Sequence, residues 1–482
     1  MAQSHAGNDM SGTVHGPVVQ AGTVHGGIHV GPGPSENLEY LAPGMIQIRL
    51  SKSSPHEAAT SLARLDPRKA ADVILLTQRA RRIEIMTSMD TASATAIIQL
   101  LDDTSAEVLR AAMRAAHAIA TDAAQWHKTL GDASGDLALR ETSRRGTTGY
   151  ASHYERGTVY WSERTGTGMV AGRIKKRFWE LDGLSGLLGY PIGPETQAAK
   201  SRFGTTGTFQ RFESTWDYSA EALEKTVTVC GGTIYASDKG VFATRGGIGQ
   251  YFEASGGTWG PLGFPLSEEE PLIDLYGAET EFCCQRFEGG TVYWGEERGV
   301  ASVKRPIADF HKEAWLVYGL PVSDQVDAVP SRWGTGGVVQ QFDGPGRPLI
   351  CSSALGTWAV SGATRVHFEE HGATGGLYGF PAGREKPRQI WQDRGVMEQH
   401  FENGAIFCQI WPDTIGIGVT GVLYGLWRQH EGELGAPTAP ERTIGDGPDL
   451  VQTFQSGIIT VIDGVASYWM APDPESETTL PF

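Results

Sequence analysis

Two regimes of apolar spacing divide the chain. Between residues 56 and 130 apolar positions recur every three or four residues, as in Val73, Ile74, Leu76 and Ile83, then Ile97, Ile98, Leu100 and Leu101. That is the period of short helices with one buried face. Asp66-Pro67 offers an N-cap with proline in the first turn, and Asp90 precedes the second run. Thr104-Ser105-Ala106-Glu107 reads as a capping box before an alanine-rich helix that reaches Lys128. From residue 146 to 470 the pattern changes to short strands between glycines. Each unit reads strand, turn, strand, an aromatic-rich segment such as Ile248–Glu253, glycines, and a closing turn.

The closing turn repeats most regularly. Its copies are Leu188-Gly189-Tyr190-Pro191, Leu262-Gly263-Phe264-Pro265, Tyr318-Gly319-Leu320-Pro321, Tyr378-Gly379-Phe380-Pro381 and Leu434-Gly435-Ala436-Pro437. The prolines step by 74, 56, 60 and 56 residues, so one structural unit is copied along the chain. The glycine is expected at positive φ, and the proline pins the turn. A second motif runs in phase: an aromatic, an acidic or polar residue, then glycine. It occurs at Tyr154-Glu155, Phe212-Glu213, Phe287-Glu288, Phe342-Asp343, Phe401-Glu402 and Phe454-Gln455. Residues 214–230 read as an insertion that accounts for the long step.

These units resemble LGFP repeats. The resemblance implies a mostly β fold, a five-bladed pseudo-β-propeller at 146–470, and the ligand class of that family, wall polysaccharide. The final half-unit would complete the first blade. Tyr318 and Tyr378 replace the usual leucine, and Ala436 replaces the aromatic.

Residues 1–34 hold one charged residue, Asp9, and eight glycines. Gly12-Thr13-Val14-His15-Gly16 returns as Gly22-Thr23-Val24-His25-Gly26, with Val18-Val19-Gln20-Ala21-Gly22 between. An uncharged, β-prone, self-similar stretch suits in-register stacking. It resembles the bacterial amyloid signalling motifs that are similar to the RHIM motif. The resemblance implies assembly through Val14, Val18, Val19, Gln20, Val24 and Ile28, with proteins that bear the same motif, an NTPase sensor among them. Residues 35–55 read as linker. The helical domain at 56–130 resembles the N-terminal domain of MgtE transporters from Leu62 onward, without any channel portion. Residues 131–145 read as a second linker and 471–482 as an acidic tail.

Net charge is −16. Residues 1–55 carry three acids and two bases and residues 56–128 nine of each, which leaves −15 in 129–482. An acidic repeat region argues against nucleic acid and anionic membrane as partners. The five cysteines follow no metal or disulfide spacing. No secretory signal or membrane-spanning run is read, so the expected location is cytoplasmic, with envelope association as the alternative.

No G-x-S-x-G elbow, P-loop or dinucleotide fingerprint occurs, and neither enzyme activity nor a cofactor is expected. His367-Phe368-Glu369-Glu370-His371 formally fits H-x-x-E-H but reads as a variation on the repeat, so no metal is expected. The recurring Phe212, Phe287, Phe342, Phe401 and Phe454 read as core. Trp179, Tyr251, His311, His367 and Trp427 are the candidate ligand-binding residues, because aromatic faces beside acids can stack on sugars or hold a partner loop. The expected protein is a non-enzymatic conflict or defence component that oligomerises through its N-terminus and recognises a glycan or protein. The alternative is an envelope-associated protein binding wall polysaccharide.

Overall fold

The computed structural model describes residues 37–135, 137–139, 142–213, 232–312, 314–388, 396–409, 416–445 and 447–471. The proposed assembly residues from Val14 to Ile28, the insertion at 214–230 and nearly all of the acidic tail lie outside them. The chain divides into two compact units, one ending at Pro194 and the other beginning at Glu195.

The first unit opens with helices α1 (Pro43–Leu50), α2 (Pro55–Leu62), α3 (Pro67–Leu76), α4 (Arg79–Thr87), α5 (Thr91–Ile98) and α6 (Asp103–Leu130). Helix therefore begins inside the segment expected to be linker. Ile46 and Leu50 of α1 are buried in the same core as Ala70, Val73 and Ile74, because a Pro-started amphipathic turn needs only two apolar positions to dock. Capping follows the side chains. Asp66 accepts the Arg68 N–H at 3.0 Å and Asp90 the Ser93 N–H at 2.9 Å. Ser54 and Glu57 form a full capping box before α2. The Thr104 box does not form. Asp102 caps α6 instead, through the Ser105 N–H at 2.9 Å.

Behind α6, the strands Gly149–His153, Gly157–Ser162 and Gly166–Ala171 form an antiparallel sheet with the short strand Ala138–Leu139 on its edge. Helix α7 (Gly172–Glu180) follows. Tyr150, Val159, Trp161 and Met169 join the helical core.

The second unit repeats that plan. Its sheets comprise strands at 207–245, 270–304, 326–360, 386–420 and 442–470. Between them lie α8 (Gly246–Ala254), α9 (Ile307–His311) with α10 (Trp315–Tyr318), α11 (Gly362–Glu370) and α12 (Gly421–Leu434). The architecture is thus mixed, mostly strands in separate sheets after a helical N-terminal part. Among the described residues the strands fall in chain order into sets of four, with Pro191–Gln197 opening the second, and each aromatic–acid motif ends the second strand of its own set; the five blades expected are not shown. Among the described residues no sheet closes on itself.

Three buried devices recur along the second unit. The first is a ring stack. Phe252 of α8 stacks on Phe287 at 4.8 Å, His311 of α9 on Phe342 at 4.6 Å, and Phe368 of α11 on Phe401 at 5.1 Å. A strand aromatic meets the helix ring edge-on, as in Tyr235–Phe252 and Tyr293–His311. The second is a glutamine two positions before that phenylalanine. The Gln285 amide donates to the Ala243 and Ser267 carbonyls at 2.8 Å, and Gln340 donates to those of Ser302 and Ser323, also at 2.8 Å. Gln399 and Gln452 do the same for their sheets. Each amide thereby fastens its strand to the last strand of the sheet before. The third device is the closing turn.

Candidate functional site

The turn glycines share one conformation: φ is 70° at Gly189, 69° at Gly263, 77° at Gly319, 71° at Gly379 and 73° at Gly435. Only glycine adopts this region without strain. The prolines lie opposite the motif aromatics, Pro265 with Phe287, Pro321 with Phe342, Pro381 with Phe401 and Pro437 with Phe454. The acid beside each aromatic closes the turn. Glu288 accepts the Phe264 N–H at 2.8 Å, Asp343 that of Leu320 at 2.6 Å, and Glu402 that of Phe380 at 3.4 Å. Gln455 serves Ala436 at 3.0 Å. The two sequence motifs are therefore two halves of one hydrogen-bonded knot.

A further knot of the same kind lies earlier in the chain. Leu130 ends α6, Gly131 follows at φ 76°, and Ala133 lies opposite Tyr154. The Glu155 N–H donates to the Asp132 carbonyl at 3.0 Å and the Arg156 N–H to that of Leu130 at 2.9 Å, matching the bonds of Glu288 to Phe264 and Gly289 to Leu262. Leu130-Gly131-Asp132-Ala133 is a closing turn without its proline or aromatic, 58 residues before Pro191.

The five candidate binding residues occupy three different helical registers. His311 and Trp427 are fully buried at the ring-stack position of Phe252 and Phe368, and this overturns their assignment to a surface. The His311 Nε2–H donates to the Gly319 carbonyl at 2.7 Å, and the Trp427 indole N–H donates to that of Gly435 at 2.8 Å. A carbonyl only accepts, so Nε2 of His311 carries the proton and Nδ1 accepts from the Tyr293 hydroxyl at 3.2 Å. Burial pushes the His311 pKa down. Tyr251 and His367 stand one position earlier and are half-buried. Tyr251 bonds Ser302 at 2.7 Å. His367 Nε2 lies 2.7 Å from the Tyr378 hydroxyl, and burial with the neighbouring His371 pushes its pKa down to about 4. Trp179 stands one position later, 52% exposed.

Two further exposed aromatics, Phe203 and Trp333, follow a rule that the sequence reading missed. A Ser-Arg-x-Gly-Thr loop precedes the second strand in three sets: Ser143–Thr147, Ser201–Thr205 and Ser331–Thr335. Its middle residue is Arg145, Phe203 or Trp333. The serine organises the loop. Ser331 N–H donates to the Thr335 carbonyl at 2.8 Å, and Ser331 Oγ accepts the Thr335 N–H at 3.1 Å; Ser201 and Thr205 repeat this. The threonine then ties the loop to the knot of the following set, Thr205 to Glu288 and Thr335 to Glu402. Phe203 is thereby laid over Gly263 and Trp333 over Gly379, so that a Cβ on either glycine would strike the ring. Trp179 lies over Gly183 in the same way. Each ring has one face on a glycine and remains about half exposed: Phe203 and Trp333 at 47%. Arg202 and Arg332 are exposed beside them. Such flat, held, glycine-backed rings suit stacking on a sugar ring or an aromatic side chain.

Among the described residues no helix is long and apolar enough to cross a membrane. The four described cysteines are free thiols.

Of solved structures, the extracellular domain of a protein described as a one component system from B. thetaiotaomicron is 10% identical with a TM-score of 0.12, the alignment covering 70% of this chain and 49% of that one. PorZ, a surface component of the type-IX secretion system of Porphyromonas gingivalis, is 7% identical with a TM-score of 0.11, covering 70% of this chain and 38% of that one. The chain thus spans about half or less of either relative, and scores this low do not relate the folds. No curated protein matches the sequence. The family described as LGFP repeat matches at residues 140–186, the first sheet with α7, and at 262–314, a closing turn with its sheet and α9, so the chain carries LGFP repeats.

Proposed function

We propose that this is a non-enzymatic binding protein whose LGFP repeats recognise a polysaccharide by stacking sugar rings on the glycine-backed aromatics. The observation that carries the reading is that Phe203 and Trp333 are held half exposed by hydrogen bonds of their own loops, whereas the ring-stack residues Phe252, Phe287, Phe342, Phe368 and Phe401 are buried. Several weak stacking sites on one chain favour a polymer over a monosaccharide. The reading keeps the propeller as the expected disposition of successive sheets. The glutamine fasteners between them support it. Co-sedimentation with insoluble cell-wall polysaccharide tests the proposal. Trp333→Ala and Phe203→Ala together should abolish retention while leaving the thermal transition in place. Retention unchanged in the double variant would overturn the reading, and capture of a protein ligand instead would move it to a peptide partner.

The N-terminal motif supports a separate step, homotypic assembly. It rests on the duplicated Val-His-Gly units and the Val18-Val19-Gln20 core, with Gln20 as an amide ladder. In the defence reading, assembly clusters the sugar-binding repeats on a partner bearing the same motif. Fibres from the wild-type chain and none from Val19→Pro would support it. Fibres from both would remove the motif from the account.

A further inference from the structure

We propose that His367, Glu370 and His371 form a binding site for a divalent late transition-metal ion, zinc above all, on the last turn of α11. The ligand atoms of these three residues lie within 4.8 Å of one another. The two imidazoles are already gathered, with ring centroids 4.1 Å apart, because residues four apart share a helix face.

The surrounding hydrogen bonds are of the kind that prepare a histidine for metal. His371 Nδ1 lies 2.7 Å from the His367 carbonyl. A carbonyl only accepts, so Nδ1 carries the proton and Nε2 presents its lone pair outward. His367 has the Tyr378 hydroxyl 2.7 Å from Nε2, which fixes its ring plane. Metal-bound histidines are commonly oriented through a second polar partner of this sort. Charge favours a cation as well. Glu441, exposed, acts electrostatically on His371, and Glu370 contributes a carboxylate. Neighbouring Glu369 is taken up by Arg365 at 2.8 Å and is left out of the set.

The repeat itself supplies the strongest argument. What the fold needs recurs from set to set: the stacked ring, the glutamine, the acid and the glycine. The positions of His367, Glu370 and His371 hold Tyr251, Ala254 and Ser255 in α8, and Arg177, Glu180 and Leu181 in α7. Packing therefore does not require the trio, which occurs in one helix alone of these three. Two imidazole nitrogens and a carboxylate oxygen match the ligand preference of zinc and leave a fourth tetrahedral position for water or a ligand group.

The test is calorimetric titration of the full chain with zinc chloride, and with cobalt chloride followed by visible absorption. Other histidines, such as His15 and His25, can contribute background binding, so the comparison is between variants. His371→Asn and Glu370→Gln should each lose one equivalent of zinc or weaken it at least about tenfold, and Tyr378→Phe should weaken it about tenfold. A tetrahedral cobalt spectrum should appear in the wild type and vanish in His371→Asn. Both surface substitutions leave the ring stack intact, so far-UV circular dichroism should not change. Identical titrations for wild type and His371→Asn, or no cobalt spectrum in the wild type, would overturn the site.

Discussion

The Glu288 carboxylate accepts the Phe264 backbone N–H at 2.8 Å and also receives the Thr205 hydroxyl. One buried acid therefore joins a strand end, a closing turn and a loop of the preceding set. Glu288→Leu leaves both donors unpaired, and we expect a loss of about 1–3 kcal/mol in urea unfolding. Glu288→Gln should cost less than about 1 kcal/mol, because Gln455 does the same work for Ala436. Equal losses for the two variants would show that the bond is incidental.

Gly379 is constrained twice. Its φ is 71°, and a Cβ there would stand 2.5 Å from Glu402 and 3.0 Å from the Trp333 ring. Gly277 has φ 83° with nothing within 4 Å. Gly277→Ala should cost about 1 kcal/mol of backbone strain. Gly379→Ala should cost about 1–3 kcal/mol more and displace Trp333, read as a shift in tryptophan emission. Equal stabilities would mean that the ring and carboxylate yield freely.

His311 replaces the phenylalanine of its sister helices. His311→Phe keeps the stack on Phe342 but loses the bonds to Gly319 and Tyr293, and should cost about 1–3 kcal/mol, less than the loss of the ring. His311→Ala removes the ring and should cost about 3–5 kcal/mol by thermal or chemical denaturation. A larger loss for phenylalanine than for alanine would overturn the assignment of His311 to the core.

Glu398 is buried between Lys386, Arg388 and His400, with Arg388 at 2.7 Å. Burial alone would raise its pKa, but hydrogen bonds and charge from His400 and Arg388 outweigh this and hold it at about 2. A carboxyl depressed in the folded state favours folding above its unfolded pKa and loses that contribution as pH falls toward the folded value. Wild-type melting temperature should therefore drop between the ordinary carboxylate range and pH about 2, more steeply than that of Glu398→Gln. Parallel curves for the two proteins would refute this.

The repeat was legible because glycine, proline and an acid are demanded at fixed places by backbone conformation and hydrogen bonding. The knot at Leu130–Ala133 was not, since Asp132 and Ala133 stand where the aromatic and proline would be. Its Leu-Gly pair and the step of 58 were the remaining signal. The five candidate binding residues fall on different helical registers, with His311 and Trp427 buried, for a geometric reason. The stacked ring precedes the turn by ten residues in Phe178–Leu188, Phe252–Leu262 and Phe368–Tyr378, but by seven in His311–Tyr318 and Trp427–Leu434. The spacing between helix and turn therefore does not by itself fix which helix face a residue occupies. Phe203 and Trp333 went unnoticed because their loop is recognisable only once three copies are aligned, and the first copy carries arginine.

The 28 residues of α6, about 42 Å of helix, belong to two patterns at once. Asp102 starts it as part of the helical domain, and Leu130-Gly131 ends it as the first closing turn. Ala123, seven residues before Leu130, fills the place of a stacked ring and is buried. The array thus has a socket rather than a tether. What it asks of an upstream partner is a final helix ending in leucine-glycine, with a small buried residue two turns earlier.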